Sequence, residues 1–333
     1  MNMKQLAAAP VKSKFAFKAG LQQLLAFGSL ILLVVFFSIA SSNFFHFSNL
    51  VGILLSTAVI GVLALGSTFV IVSGGIDLSV GTVMTLCSVM TGVFITMWGL
   101  PLGIGIIGGL LTGALCGFIS GILIARLGIP PFIATLAMMM IAKGLALVIS
   151  GTKPVYFTST PEFMQISQGS LLGKLIPGFD IPNAVLIFFL AAAVGSVLLS
   201  RTIVGRYNFA IGSNEEATRL SGVNVRNWKI AIYTITGVFT GIAGILMASR
   251  LNSAQPSLGM GYELEAIAAV VIGGTSLSGG KGTIIGTVIG ALIMSVLTNG
   301  LRILSVPQEW QTVVVGFVIL LAVYADILRR RKA

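Results

Sequence analysis

Leu50-Val-Gly-Ile-Leu-Leu-Ser-Thr-Ala-Val-Ile-Gly-Val-Leu-Ala-Leu-Gly-Ser-Thr-Phe-Val-Ile-Val72 carries no charged side chain and gives way abruptly to Ser73-Gly-Gly-Ile-Asp77-Leu-Ser79. A helix needs about 20 apolar residues to cross about 30 Å of hydrocarbon, and this run is long enough. Working outward from it, ten such runs can be drawn, at approximately 21–40, 50–72, 80–97, 102–124, 132–149, 184–200, 229–249, 263–273, 284–303 and 310–327. The eighth is too short to cross alone, and only a Gly-rich break separates the second from the third, so the count is open by one or two. The expected fold class is all-α: a polytopic membrane protein of about 10 transmembrane helices. It forms a single membrane domain over 21–327, between tails at 1–20 and 328–333.

Composition agrees. Of 333 residues, 56% are hydrophobic and 9% charged, against about 25% charged in soluble domains. The net charge of +11 is not a nucleic-acid footprint, because the basic residues cluster at the ends of apolar runs. With ten crossings and a cytoplasmic start, the inside segments hold 15 Lys and Arg: Lys4, Lys12, Lys14, Lys18, Arg126, Arg201, Arg206, Arg219, Arg226, Lys229, Lys281, Arg329, Arg330, Arg331 and Lys332. The outside segments hold four, Lys153, Lys174, Arg250 and Arg302, and Lys143 falls within a helix. This asymmetry follows the positive-inside rule and places both termini in the cytoplasm. Trp98, Trp228 and Trp310 fall at helix ends, where an aromatic belt sits. The run 21–40 is longer than a signal-peptide core, and the small residues Ala7 to Ala9 precede it, so it is expected to be retained as a spanning helix. Cys87 and Cys116 lie inside apolar runs and read as small packed hydrophobes.

Two polar loops are long, one outside at 150–183 and one inside at 201–228. In the inner loop, Ser213 followed by Glu216 forms a capping box and Gly222 supplies a stop, predicting a short helix over Asn214 to Ser221. Its Ala217 and Leu220, beside Glu215 and Arg219, offer a docking surface; a simple connector is the alternative. There is also an internal echo. Ser73-Gly74-Gly75-Ile-Asp77-Leu-Ser79-Val-Gly81 is matched by Gly273-Gly274-Thr-Ser276-Leu-Ser278-Gly-Gly-Lys281, each after an apolar run. Paired Gly-interrupted segments mark discontinuous helices at a transport path, commonly in an inverted repeat. A chance match between two Gly/Ser-rich turns explains the echo equally well. On the first reading Gly74, Gly75, Asp77, Ser79, Gly273, Gly274, Ser276 and Ser278 border the path.

Other patterns fail on inspection. Gly103-Ile-Gly105-Ile-Ile-Gly108 has the dinucleotide-binding spacing but no preceding strand. The same segment places Gly105, Gly109, Gly113, Gly117 and Gly121 at four-residue intervals, a stripe for close helix packing. Ser278-Gly-Gly-Lys281-Gly-Thr283 lacks the first P-loop glycine, at Thr275, and has Gly282 where Ser or Thr should follow the lysine. His46 is the one histidine and reads as interfacial; no catalytic set or metal-ligand spacing can be assembled, and no cofactor is expected. Lys143, Asp77, Glu263 and Glu265 are the charges near membrane depth, and Asp77 and the glutamates are expected at solvated headgroup level. So few charges give little support to a proton relay.

Several stretches together resemble the ribose-type branch of ABC importer permeases, within the branched-chain amino acid/ribose permease superfamily. They are Ser73 to Gly81, Pro130-Pro-Phe-Ile-Ala-Thr-Leu136, Ala210-Ile-Gly-Ser-Asn-Glu-Glu-Ala217 with Leu220-Ser-Gly222, Ser249-Arg-Leu-Asn-Ser-Ala-Gln-Pro256, and Tyr262 through Gly280. The resemblance covers nearly everything after about residue 20. It implies a permease subunit of the bacterial inner membrane, not an enzyme, moving a monosaccharide such as ribose. The implied partners are a second copy of the chain, ABC ATPase subunits on the cytoplasmic face, a periplasmic sugar-binding protein and membrane lipid, with no nucleic acid. The family's coupling helix falls on Asn214, Glu215, Glu216, Ala217, Arg219, Leu220, Ser221 and Gly222. Lys143 departs from the arginine expected in relatives, and the tail before Leu21 is long. A proton-coupled secondary sugar transporter is the main rival; a passive channel and a membrane enzyme are the others.

Overall fold

A computed structural model describes residues 11–331 apart from 177 and 179, with side chains described over 24–328. The basic side chains of both tails lie outside the described residues. The elements in order are α1 (Val11–Ala40), α2 (Phe47–Val72), α3 (Val80–Gly92, continued by a π-helical turn Val93–Met97), α4 (Leu102–Ala125) and α5 (Pro131–Ser150). There follow β1 (Val155–Tyr156), α6 (Glu162–Gln168), α7 (Leu171–Leu175), α8 (Asn183–Arg201), α9 (Ile203–Ser213), α10 (Glu215–Leu220), α11 (Val225–Leu251) and β2 (Ser253–Ala254). The chain closes with α12 (Tyr262–Ile272), α13 (Ile284–Ile303) and α14 (Gln308–Arg331).

The architecture is all-α and polytopic. Eight helices among the described residues are long and apolar enough to cross a membrane: α2, α3 with its π turn, α4, α5, α8, α11, α13 and α14. The first expected run lies within α1, a helix that starts well before residue 21 and whose described side chains, Leu24–Ala40, are predominantly apolar. The eighth is the 11-residue α12, about 16 Å long at 1.5 Å per residue. All ten apolar runs are therefore helical, and eight helices among the described residues meet the length and composition for spanning alone.

Local signals set the boundaries. Pro101, Pro130 and Pro182 stand at the N-caps of α4, α5 and α8, where their missing N–H costs nothing. Gly151 (φ 60°) and Asn252 (φ 50°) close α5 and α11 in the left-handed conformation.

α2, α3 and α11 form the buried centre, while α4, α5 and α8 are mostly outward-facing and no residue of Gln308–Leu328 in α14 is buried. Phe317, Leu320 and Leu321 would be untenable in water but suit a hydrocarbon solvent. The most extensive helix contact joins α4 to α11. It runs along the glycine stripe: Gly105, Gly109, Gly113, Gly117 and Gly121 are all buried. A Cβ on Gly117 would strike the Tyr233 carbonyl oxygen, and one on Gly237 would strike that of Gly113. Cys87 and Cys116 are free thiols packed in the neighbouring apolar cluster. Outside this core, β1 and β2 pair antiparallel, Val155 with Ala254 and Tyr156 with Ser253, tying the long loop after α5 to the segment after α11. Ser249 reinforces the join by donating to the Phe163 carbonyl (2.6 Å) and accepting from the Ser167 N–H (2.9 Å).

The inverted arrangement expected of the internal echo does not hold for these two segments. α2 is antiparallel to α13, with Thr68 against Thr287 (2.7 Å) and Asn49 against Asn299 (2.9 Å). α12 is also antiparallel to α13, with Ala269 against Gly290 and Gly273 against Gly286. α2 and α12 therefore run the same way and end on the same face.

Candidate functional site

The two Gly breaks begin identically. After α2, Gly74 (φ 81°) donates to the Ile71 carbonyl and Gly75 to that of Val70, both at 3.0 Å. After α12, Gly274 (φ 92°) donates to Val271 (2.9 Å) and Thr275 to Val270 (3.2 Å). Both are Schellman stops, which need a left-handed residue where only glycine is unstrained. The breaks then meet: the Gly280 N–H donates to the Val72 carbonyl (2.8 Å), and Gly279 packs on Gly74. Of the eight residues assigned to a path, Gly74 and Ser278 are exposed and Gly274 is half-buried. Gly75, Asp77, Ser79, Gly273 and Ser276 are buried. Ser276 and Ser278 bring their hydroxyls within 3.1 Å.

Asp77 and Glu263 are not solvated as the sequence suggests. Each is only 6% exposed. Asp77 Oδ1 accepts from the Ser79 N–H (2.8 Å) and hydroxyl (2.6 Å), closing a turn at the head of α3. The segment is carried inside the bundle: Gly75 lies against the Tyr233 hydroxyl, about two turns into α11, and the Ile76 carbonyl faces Thr135 (3.4 Å) at the second turn of α5. Glu263 Oε1 accepts from the Gly261 N–H (3.0 Å), while Oε2 lies against Gly81 without a hydrogen-bond partner. Gly75, Asp77 and Ser79 of the first break are thus packed within protein, the only setting besides a wet cavity where irregular backbone survives at membrane depth.

Gly212 connects this cluster to the 201–228 loop. A Cβ there would strike the Val72 carbonyl and meet the Gly280 nitrogen at 2.6 Å, so the end of α9 sits directly on both breaks. The sequence reading missed α9 altogether because Arg206, Tyr207 and Asn208 resemble loop composition. The buried Asn208, whose amide donates to the Phe69 carbonyl (3.0 Å), anchors it to α2.

The short helix follows, with a corrected cap. Ser213 ends α9, and Asn214 caps α10 by accepting from the Ala217 N–H at 2.9 Å. Glu216 pairs with Arg219 (3.6 Å) rather than reaching back to close a capping box. Gly222 is the left-handed stop (φ 85°), donating to the Arg219 carbonyl (3.0 Å). Thr218 faces inward; Ala217 is exposed and Leu220 is 80% exposed. Glu215 pairs with Lys229 at the foot of α11 (2.7 Å), fixing the helix on the bundle.

Long apolar helices around a buried polar interior, with one small capped helix standing out at an end, define a polytopic all-α membrane protein. The chain belongs to the family described as the branched-chain amino acid transport system / permease component, whose model matches residues 49–323. It is similar to the ribose import permease proteins of Bacillus subtilis (42% identical over 323 residues, 97% of both chains) and Haemophilus influenzae (40% over 304 residues, 90% of this chain and 92% of the relative). A fructose import permease protein of Rhizobium meliloti is 38% identical over 307 residues, 90% of this chain and 84% of the relative. The chain is accordingly a transport permease component rather than an enzyme in itself.

Proposed function

We propose that this chain is the pore-forming subunit of an ABC importer that carries a monosaccharide, ribose or a close relative, across the bacterial inner membrane. The observation that carries this reading is the near full-length similarity to ribose and fructose import permeases. In the proposed assembly two copies form the pore, a periplasmic binding protein delivers sugar to the outer face, and both termini are cytoplasmic. Residues 21–327 form the membrane domain, with 150–183 outside and 201–228 inside. ATPase subunits dock on Asn214, Glu215, Glu216, Ala217, Arg219, Leu220, Ser221 and Gly222. Movement there passes through Gly212 to Gly74, Gly75, Asp77, Ser79, Gly273, Gly274, Ser276 and Ser278, which border the inner end of the path.

The exposed Leu220 supports this arrangement, since an apolar side chain at a charged helix tip has no packing role within one chain. The test is ribose uptake by the chain reconstituted with its ATPase and binding protein. Uptake should require ATP and persist when the proton gradient is collapsed; gradient-driven uptake without an ATPase would establish the secondary-transporter alternative. Leu220→Asp should abolish uptake, because docking would bury an unpaired charge, whereas Arg219→Ala at the rim should lower it less than threefold. Normal uptake by Leu220→Asp would refute this helix as the coupling element.

A further inference from the structure

The strand pairing and the position of Lys143 together fix the depth of a segment that neither the sequence nor the relatives' names describe. At the start of that segment, β2 pairs with Val155 and Tyr156, just past the outer end of α5. Six residues after Ala254, the Met260 sulfur lies 3.0 Å from the Lys143 ammonium. Lys143 is seven residues before Ser150, about 10 Å back along the helix from its outer end. The chain between Asn252 and Gly261 therefore descends from the outer face toward the bilayer centre without forming a helix. α12 starts at that depth, and its roughly 16 Å is the distance left to the inner face.

Two features of this seam call for water. The first is an irregular loop with exposed residues: Ser257 and Met260 are both exposed on the descending segment, and a non-helical segment facing hydrocarbon is not tolerated. The second is Lys143, half-buried in an otherwise apolar helix. It makes no ion pair within 4 Å among the described residues, and its polar contact is a thioether. Its stem is too short to carry the ammonium to the outer headgroups, and an apolar cover would strand an unpaired charge out of water.

We infer that the seam between α5 and the 252–261 loop is a water-filled stretch of the sugar path, in which Lys143 and Met260 form a contact site for a neutral sugar. The ammonium donates hydrogen bonds to successive hydroxyls, replacing the water it holds when the path is empty. The Met260 thioether offers a soft apolar surface to the C–H face of the ring. The loop's far side is fixed to α3, since the Thr85 hydroxyl donates to the Leu258 carbonyl and Gly259 packs against Gly81. The site therefore has one firm wall and one charged wall. A neutral polyol suits it because it can exchange hydrogen bonds with a cation without being held by it.

This inference rests on the sugar-import reading, and the test separates the two. In a background with Cys87 and Cys116 replaced, Met260→Cys and Ser257→Cys are placed in the full complex, with Leu115→Cys, opposite the glycine stripe on α4, as a lipid-facing control. Both seam cysteines should react with a charged methanethiosulfonate in at least one nucleotide state, D-ribose should slow the reaction severalfold, and the control should stay unreactive. Lys143→Met should lower ribose uptake at least tenfold, and Lys143→Arg should restore most of it. Seam cysteines that are inert in every nucleotide state, or wild-type uptake by Lys143→Met, would overturn the inference while leaving sugar import intact. If the complex imports no sugar, the sugar-import reading fails, and reactive seam cysteines would still establish the wet seam, because labelling needs no substrate.

Discussion

Replacing Gly117 by alanine adds one methyl group where α4 and α11 touch backbone to backbone. The new Cβ would strike the Tyr233 carbonyl oxygen and lie 2.9 Å from its carbon and 3.2 Å from Gly237 Cα. Unstrained carbon contacts lie at about 3.5–4.0 Å, so the helices must part locally by about half an ångström or more. No flexible side chain can yield, because the obstructing atoms are α11 backbone. Overpacking of this kind costs about 2–3 kcal/mol, and the better helix propensity of alanine returns about 1 kcal/mol. The expected net destabilisation is about 1–2 kcal/mol. Gly316→Ala is the internal control: its Cβ meets nothing within 4 Å on the exposed face of α14, so only the favourable propensity term of about 1 kcal/mol remains. Unfolding in mixed micelles titrated with dodecyl sulfate, followed by tryptophan fluorescence, should rank Gly316→Ala above wild type and Gly117→Ala below it. If Gly117→Ala proves as stable as Gly316→Ala, the stripe is not a close-packed face and the α4–α11 contact is wrong.

Two further expectations concern single hydrogen-bonding residues. Asn214→Ala should destabilise α10 by about 1 kcal/mol, the usual cost of a lost N-cap, and speed amide exchange at residues 215–220, whereas Ser213→Ala should leave that exchange unchanged; the reverse ranking would restore Ser213 as the cap. Ser249→Ala leaves the buried Phe163 carbonyl and Ser167 N–H without their shared partner, at about 1–3 kcal/mol. Proteolysis of the 150–183 loop should quicken accordingly, and unchanged cleavage would show that β1 and β2 hold the loop unaided.

The helices were legible in the sequence because hydrocarbon imposes a length and a composition on any segment that crosses it, and each apolar run from 21–40 to 310–327 did become helix. The stripe from Gly105 to Gly121 and the stop at Gly222 were equally plain, since close approach and a positive φ leave few residues to choose from. Capping was less so. Ser213 and Asn214 are both good caps one residue apart, and which one serves depends on where α9 ends, which is set by Gly212 pressing on Val72 and Gly280. Other features only the tertiary structure could decide. Asp77 and Glu263 sit beside glycines at helix ends, a composition equally suited to headgroups, and only the packing of α3, α5, α11 and α12 around them makes them interior. The matching stops at Gly74 and Gly274 could not reveal that α2 and α12 run the same way, because chain direction is fixed by both helices packing antiparallel against α13. Nor could the sequence show how deep α12 begins: an 11-residue apolar helix fits many places in a membrane protein, and it took the pairing of Val155 with Ala254 and the approach of Met260 to Lys143 to set it against the middle of α5.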